Sequence, residues 1–308
     1  MGIISDGPYG LGKFPGEDRT DENLAEWYAP HIAAWSRAAS PQTTLWFWNT
    51  EVGWAMVHPV LALHGWEYQE LVIWDKGVQH IAGNVNSKTI RGLPVVTEVA
   101  ARYTFQPKLK TGDTREPLPM KQWLRHEWER SGLPLYHANE ACGVANAATR
   151  KYLTLCHLWY MPPPEHLEAM ARYCQEHGQQ VHPPCFSLDG ERRPTAEDWK
   201  RMRAKWNHTH ALTNVWREPP VHGEERIKGL KGYLHAAQKP LELMRKQIAA
   251  CTDPGDVVWE PFGGLCSAAV AAIQLGRSAF AAEHNPKFSE AAEHRLQETL
   301  AQGVRRVG

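Results

Sequence analysis

Apolar residues near the N-terminus recur with two alternating periods. Met1–Ser5 is a short run of strand type. Positions 21–40 then place Leu24, Trp27, Tyr28, Ile32 and Trp35 at helical spacing behind a polar start at Asp21 and Asn23. Thr43–Asn49 is almost continuously apolar, the pattern of a strand buried on both faces. A helix over Val52–His64, carrying Pro59, ends at Gly65, and strands over Tyr68–Trp74 and Leu93–Phe105 follow. Strands separated by helices predict an α/β fold. Trp27, Trp35, Trp46, Trp48 and Trp74 lie within these elements and are read as core.

The pattern changes at Gln106, where a Pro-, Lys- and Trp-rich stretch precedes a helix over Met120–Ser131. Leu135–Leu153 has the outline of a helix-turn-helix around Gly143, with Ala138, Cys142, Val144 and Tyr152 inward. Asn146, Thr149, Arg150 and Lys151 would then face a groove or its phosphates. Asn139 stands where that motif prefers a small alanine, so a plain helical pair is the competing reading. A basic helix over Lys200–Lys205 closes this region. From Thr213 strands and helices alternate again: an amphipathic helix Lys239–Ala250 opened by Pro240, a strand Val257–Glu260, a helix Ser267–Leu275 stopped at Gly276, a strand Ala279–Glu283 and a helix Pro286–Ala301. The chain thus divides into 1–105, an insertion over 106–212, and 213–308.

The formal net charge of the 308 residues is zero, but it is unevenly spread: residues 106–240 carry a balance of +5 between flanks of −4 and −1. Phosphate contact, if any, is concentrated in the middle. No run of eighteen apolar residues and no signal-like start is present, which reads as a soluble, unsecreted chain. Six scattered cysteines suit a reduced, cytoplasmic protein. Cys174, His177, His182 and Cys185 offer four zinc-type ligands in twelve residues, but the central gap is short, and the simpler reading holds no metal.

Two turns carry candidate chemistry. Asp6-Gly7-Pro8-Tyr9 follows the first strand, and Glu260-Pro261-Phe262-Gly263-Gly264 follows a late one, with Glu283 ending the next. Glycines let a ligand approach main chain closely, and a carboxylate about twenty residues on can accept both hydroxyls of a ribose. A dinucleotide site has the same ingredients, as does a merely structural turn. In the first turn, an acid and a backbone carbonyl can accept hydrogen bonds from an exocyclic amine while Tyr9 offers a stacking face.

The late turn resembles the S-adenosylmethionine loop of amino-group DNA methyltransferases, usually D-P-F-x-G-x-G-T. His235-Ala236-Ala237-Gln238-Lys239-Pro240 resembles their H-P-T-Q-K-P segment, Thr213-Asn214-Val215-Trp216 with Gly223-Glu224-Glu225-Arg226 their lead-in, and Asp6-Gly7-Pro8-Tyr9 their D-P-P-Y turn. With catalysis first and cofactor last, the order is that of the permuted beta group. The resemblance implies a circularly permuted Rossmann-like sheet with a mostly helical inserted recognition domain. It implies methyl transfer from S-adenosylmethionine to adenine N6 in duplex DNA with a flipped target base, in bacterial or phage restriction-modification. Asp6, Pro8 and Tyr9 would be catalytic, and Lys239, Glu260, Phe262, Gly263, Gly264 and Glu283 would hold the cofactor. A homodimer and a cognate restriction endonuclease are compatible partners.

Departures from the family pattern add four expectations. Gly7 should loosen its turn, Cys266 should crowd the cofactor, Glu260 replaces an aspartate, and a strand that relatives carry before the catalytic turn has no counterpart in the five residues before Asp6. Cytosine N4, an RNA or protein substrate, and a decayed DNA-binding subunit are the rival readings.

Overall fold

The computed structural model describes residues 1–11, 23–81, 92–113, 116–156, 158–188, 192–208, 212–229 and 232–303. The chain forms two compact units, one of Met1–Phe105 with Ala204–Gly308 and one of Gln106–Arg203. In chain order the first unit opens with β1 (Gly2–Ser5), α1 (Leu24–Ala38), β2 (Thr44–Asn49), α2 (Glu51–Leu63), β3 (Trp66–Asp75) and β4 (Thr97–Phe105). The second unit follows with β5 (Lys108–Leu109), β6 (Leu118–Pro119), α3 (Met120–Glu129), α4 (His137–Ala141), a π-helical turn (Ala148–Tyr152), α5 (Pro164–His177) and α6 (Ala196–Arg201). The first unit resumes with β7 (Val215–Arg217), β8 (Lys228–Gly229), β9 (Gly232–Tyr233) and α7 (Leu241–Cys251). It ends with β10 (Val257–Glu260), α8 (Ser267–Gln274), β11 (Ser278–Ala281) and α9 (Pro286–Gln302).

The main sheet has seven strands in the order β11-β10-β1-β2-β4-β3-β7. Within it β4 pairs antiparallel with both neighbours, and the other pairings are parallel. The period-two alternation of β2 explains its continuous apolar run. Leu45 and Phe47 join a core with Tyr28, Ile32 and Trp35 of α1 and Val57 and Leu61 of α2. Trp46 and Trp48 point the other way, into a core with Leu243, Met244 and Ile248 of α7 and Ala268, Ala271 and Ala272 of α8. Helices therefore cover both faces, which is the expected Rossmann-like α/β arrangement. Strand β11 is an edge, with Phe280 exposed.

The second unit is mostly helical around Trp123, Trp128, Met170, Phe186 and Trp199. Its buried Glu127 accepts from Arg130 Nη1 and from the Phe186 amide, both at 2.7 Å. Both bonds fall on Oε2 and offset part of the cost of burying this carboxylate, whose Oε1 has no hydrogen-bond partner among the described residues. The helix-turn-helix outline is only partly realised. Gly143 turns with φ +63°, but α4 spans five residues and its partner is a five-residue π-helical turn. Asn139 explains this shape, because its carboxamide pairs with the Thr149 amide and hydroxyl.

Several element boundaries differ from the sequence expectation. The strand expected from Leu93 begins at Thr97, and Glu283 lies past the end of β11. The helix start expected at Asp21 falls outside the described residues. The chain re-enters the first unit at Ala204 rather than Thr213. Lys205 pairs with Asp253 and Asp256 at 2.9 and 2.7 Å, and Asn207 bonds the carbonyls of Ala249 and Thr252. The Lys200–Lys205 stretch is therefore not one helix, since α6 ends at Arg201. Trp27, expected in the core, is 37 % exposed.

The two-faced burial of β2 sets the first expectation. Leu45→Ala, at a site with 0 % exposure, should cost about 2–5 kcal/mol in urea unfolding. Leu63→Ala, on the 81 % exposed end of α2, should stay within about 0.5 kcal/mol.

Candidate active site

Strands β1 and β10 are parallel neighbours, with Gly2 opposite Val258 and Ile3 opposite Trp259. The turns that follow them leave the same edge of the sheet side by side, at the carboxyl ends where α/β sheets place their ligands.

The first turn is braced from both flanks. The Pro8 carbonyl accepts from the Tyr28 hydroxyl of α1 at 2.9 Å and from Asn49 Nδ2 of β2 at 3.2 Å. Gly7 has no room for a side chain, because a Cβ there would lie 2.6 Å from both the Phe262 ring and the Tyr28 hydroxyl. The loosening expected of Gly7 is thus not what the structure shows. The missing Cβ lets Phe262 close against the turn. The Phe262 ring lies among Trp27, Tyr28, His31 and Trp35 of α1, with centroid distances of 5.2–6.2 Å. Such edge-to-face and tilted contacts suit aromatic quadrupoles.

The second turn is a hydrogen-bonded corner. The Gly263 amide donates to the Ala282 carbonyl and the Gly264 amide to Glu283 Oε2, both at 2.7 Å. Glu283 Oε1 accepts from the Asn285 amide at 2.8 Å. Glu260 is buried, and its two oxygens accept the amides of Ala268 and Ala269 at the start of α8. Burial nevertheless pushes its carboxyl up to about 8. Cys266 adopts a left-handed φ of +53° that favours glycine. Its thiol lies against the glycine corner, 2.8 Å from where a Cβ on Gly263 would stand, and its side chain shares a small core with Ala269 of α8 and Ala292 of α9.

The third component is the segment ahead of α7. A Cβ on Gly264 would touch the His235 ring at 3.4 Å, so His235 stands beside the glycine corner. Glu225 accepts from the Leu241 amide at 2.6 Å and Gln238 bridges Glu225 and Ile227, fixing the segment to the start of α7. Lys239 then reaches the other turn. Its buried ammonium donates to Asp6 Oδ1 and Oδ2 at 2.7 and 2.9 Å, to the Tyr9 hydroxyl at 3.1 Å, and pairs with Glu98 Oε2 at 3.2 Å. Lys76 pairs with the other oxygen of Glu98. Two carboxylates and two ammoniums make a neutral cluster, which makes burial tolerable. Burial works against the Lys239 charge, but Asp6 and Glu98 outweigh it and hold the group above the ordinary lysine range. Burial likewise opposes the Glu98 charge, and Lys239 and Lys76 outweigh it and hold that group low. Burial, then Asp6 and Glu98, push the Tyr9 hydroxyl well above its usual range.

One edge of the sheet thus presents an anionic acceptor, a glycine corner with close main chain, and a second acid behind it. A family model for DNA methylases matches residues 2–294. The chain belongs to the N6/N4 DNA methylase family. Among curated relatives, the type II methyltransferase M.HinfI of Haemophilus influenzae is 38 % identical over 86 residues, which are 28 % of this chain and 24 % of that protein. The DNA adenine methyltransferase YhdJ of Escherichia coli K12 is 30 % identical over 109 residues, 35 % of each chain. The matched parts therefore span a quarter to about a third of those relatives. The solved PvuII DNA methyltransferase (cytosine-N4-specific) shares the fold with a TM-score of 0.53 at 10 % identity, over 97 % of this chain and 83 % of that one.

Within this family member, Asp6, Pro8 and Tyr9 stand together as the motif suggested, and Gly263, Gly264 and Glu283 form one corner. Lys239, expected beside the cofactor, has its ammonium engaged by the first turn. Glu260 engages α8, and Phe262 packs against α1. In the second unit Asn146, Arg150 and Lys151 are exposed, whereas Thr149 is tied to Asn139. Among the described residues no group of three or more His, Cys, Asp or Glu side chains converges to hold a metal. Sequence reasoning missed Glu98, Lys76, Tyr28 and Asn49. The signal for Glu98 was a lone acid inside the apolar stretch Val95–Ala101, which invites a partner once buried.

Gly7→Ala tests this packing. The overlap with Phe262 and Tyr28 should destabilise the fold by about 1–3 kcal/mol in chemical denaturation. An unchanged midpoint would contradict the close approach.

Proposed function

We propose that this chain is an S-adenosylmethionine-dependent DNA methyltransferase acting on adenine N6 in duplex DNA at a specific sequence, in the setting of restriction-modification. The observation that carries this reading is the tie between the two turns. Phe262 closes on Gly7, His235 stands at Gly264, and Lys239 pairs with Asp6. Residues from both ends of the chain thereby face one edge of adjacent parallel strands, in the order of the permuted beta group.

The residues fit the cofactor. Each oxygen of Glu283 uses one acceptor site on a backbone amide, which leaves capacity for two ribose hydroxyls. The Gly263–Gly264 main chain would border the cofactor. Bound there, S-adenosylmethionine would supply an electrophilic methyl on a sulfonium, with sulfur as the leaving group that would keep the electron pair. The chain's own residues prepare the acceptor. An exocyclic amine is a poor nucleophile because its lone pair is delocalised into the ring. Asp6 accepts one N–H of that amine. The Pro8 carbonyl is already engaged by Tyr28 and Asn49, so the Gly7 carbonyl is the proposed acceptor for the other. Both hold the nitrogen in line with the methyl. The nitrogen forms the new bond to carbon and sheds one proton to water, with Asp6 the nearest acceptor. Tyr9 offers its ring to a base flipped from the duplex.

An aspartate in the turn favours adenine over cytosine N4, and the name of the relative YhdJ points the same way. The second unit is the proposed recognition domain, with Asn146, Arg150 and Lys151 toward the DNA and Thr149 bracing them through Asn139.

The test is transfer of tritiated methyl from S-adenosylmethionine to unmethylated genomic DNA, with the product base identified by mass spectrometry. N6-methyladenine is expected, and Asp6→Ala should lower the rate by about 10²–10³-fold. N4-methylcytosine would overturn the choice of base, and transfer to RNA or protein alone would overturn the substrate class.

A further inference from the structure

Asp6 has two oxygens, and the structure treats them differently. Oδ1 accepts from Lys239 at 2.7 Å and lies 2.9 Å from the Tyr9 hydroxyl, which is also 3.1 Å from Glu98 Oε2, while among the described residues Oδ2 accepts from Lys239 alone, at 2.9 Å. A carboxylate oxygen has about two acceptor sites. With the single Tyr9 proton on its shorter contact Oδ1 is filled, and Oδ2 keeps one site for an incoming N–H. This asymmetry depends on where the Lys239 ammonium sits, and that is fixed from the far side. Glu98 of β4 pairs with Lys239 at 3.2 Å and is itself held by Lys76 at the end of β3. The Trp48 ring of β2 lies 5.3 Å from the same ammonium.

We propose that Glu98 is a positioning residue for methyl transfer: it fixes the Lys239 ammonium, which orients the Asp6 carboxylate so that Oδ2 meets the target amine. This rests on the methyltransferase reading above. A buried ion cluster is no more stabilising than apolar residues of the same volume, so stability alone does not account for four charges here. Orientation does. A carboxylate free to rotate would present either oxygen at variable angles, and small misplacements of an acceptor cost rate.

The clamp also has a titration signature. The charged and titratable groups facing Lys239 are Asp6 and Tyr9 of the first turn, Glu98 of β4, Lys76 behind it, and His235 on its own segment. Burial pulls the ammonium toward losing its proton, and the two carboxylates oppose this. Removing the Glu98 charge leaves burial in place with one carboxylate fewer. Lys239 then loses its proton at a lower pH, and activity on the alkaline side fails at a lower pH with it.

The experiment measures kcat and KM for DNA and for S-adenosylmethionine from pH 6 to 10 in the wild type, Glu98→Gln and Glu98→Asp, with a thermal melt of each. Glu98→Gln should lower kcat about 10- to 100-fold with both KM values within about threefold, and bring below pH 10 an alkaline limb that the wild type, with Lys239 held above the ordinary lysine range, does not show there. Glu98→Asp, which keeps the charge, should restore part of both. If Glu98→Gln does not fold, Lys76→Met, which frees Glu98 from its second partner without removing its charge, should lower kcat by less and bring in no alkaline limb. An unchanged kcat in the variant tested, or in Glu98→Gln a loss with no alkaline limb below pH 10, overturns the proposal while the methyltransferase reading stands. Wild type that methylates no DNA overturns that reading, and this proposal with it.

Discussion

The ammonium of Lys239 joins parts of the chain that are 233 residues apart. It lies at 5 % side-chain exposure with Asp6 and Glu98 as counter-ions, so the charges stand or fall together. Losing one of them would leave another buried without compensation, a cost of about 3–5 kcal/mol. Around this contact the arrangement of the first unit follows. β1 must sit between β10 and β2 for the Asp6 turn to reach the segment ahead of α7. The helix α7 must cover the face lined by Trp46 and Trp48, and Trp48 Nε1 donates to Gln247 on that helix at 3.1 Å.

The aromatic face of α1 supplies the second constraint on the same edge. Phe262 cannot pack among Trp27, Tyr28, His31 and Trp35 unless Gly7 yields the space of a side chain. Tyr28 meanwhile uses its hydroxyl to hold the Pro8 carbonyl. One helix therefore positions both turns, one by apolar contact and one by a hydrogen bond. The glycine corner is fixed separately, by Glu283 just past β11 and by Arg295 of α9, which donates to the Leu265 carbonyl at 2.7 Å. Rigid elements thus brace each part of the proposed site.

Much of this is legible in the chain. The continuous apolar run of β2, the amphipathic α7 and the acids closing late strands each follow from side-chain period and turn chemistry. What escapes depends on partners distant in sequence. Nothing local marks Glu98 as the counter-ion of Lys239, because its partners come from β3 and the segment before α7. Gly7 differs from expectation for the same reason. Residue type alone suggests a loose turn, whereas the outcome is decided by what lies next to it, the Phe262 ring. The helical pair near Gly143 falls short of the expected motif because Asn139 binds Thr149, a side-chain contact that periodicity does not report.

The central claim is that Lys239 and Asp6 act as a unit that ties the two ends of the chain. A double-mutant cycle of Asp6→Asn and Lys239→Met, read as unfolding free energies in urea, measures this directly. A coupling of about 1–3 kcal/mol is predicted for partners in one buried network. Additive effects, within about 0.3–0.5 kcal/mol, would show that the pair is not energetically joined and would contradict the account.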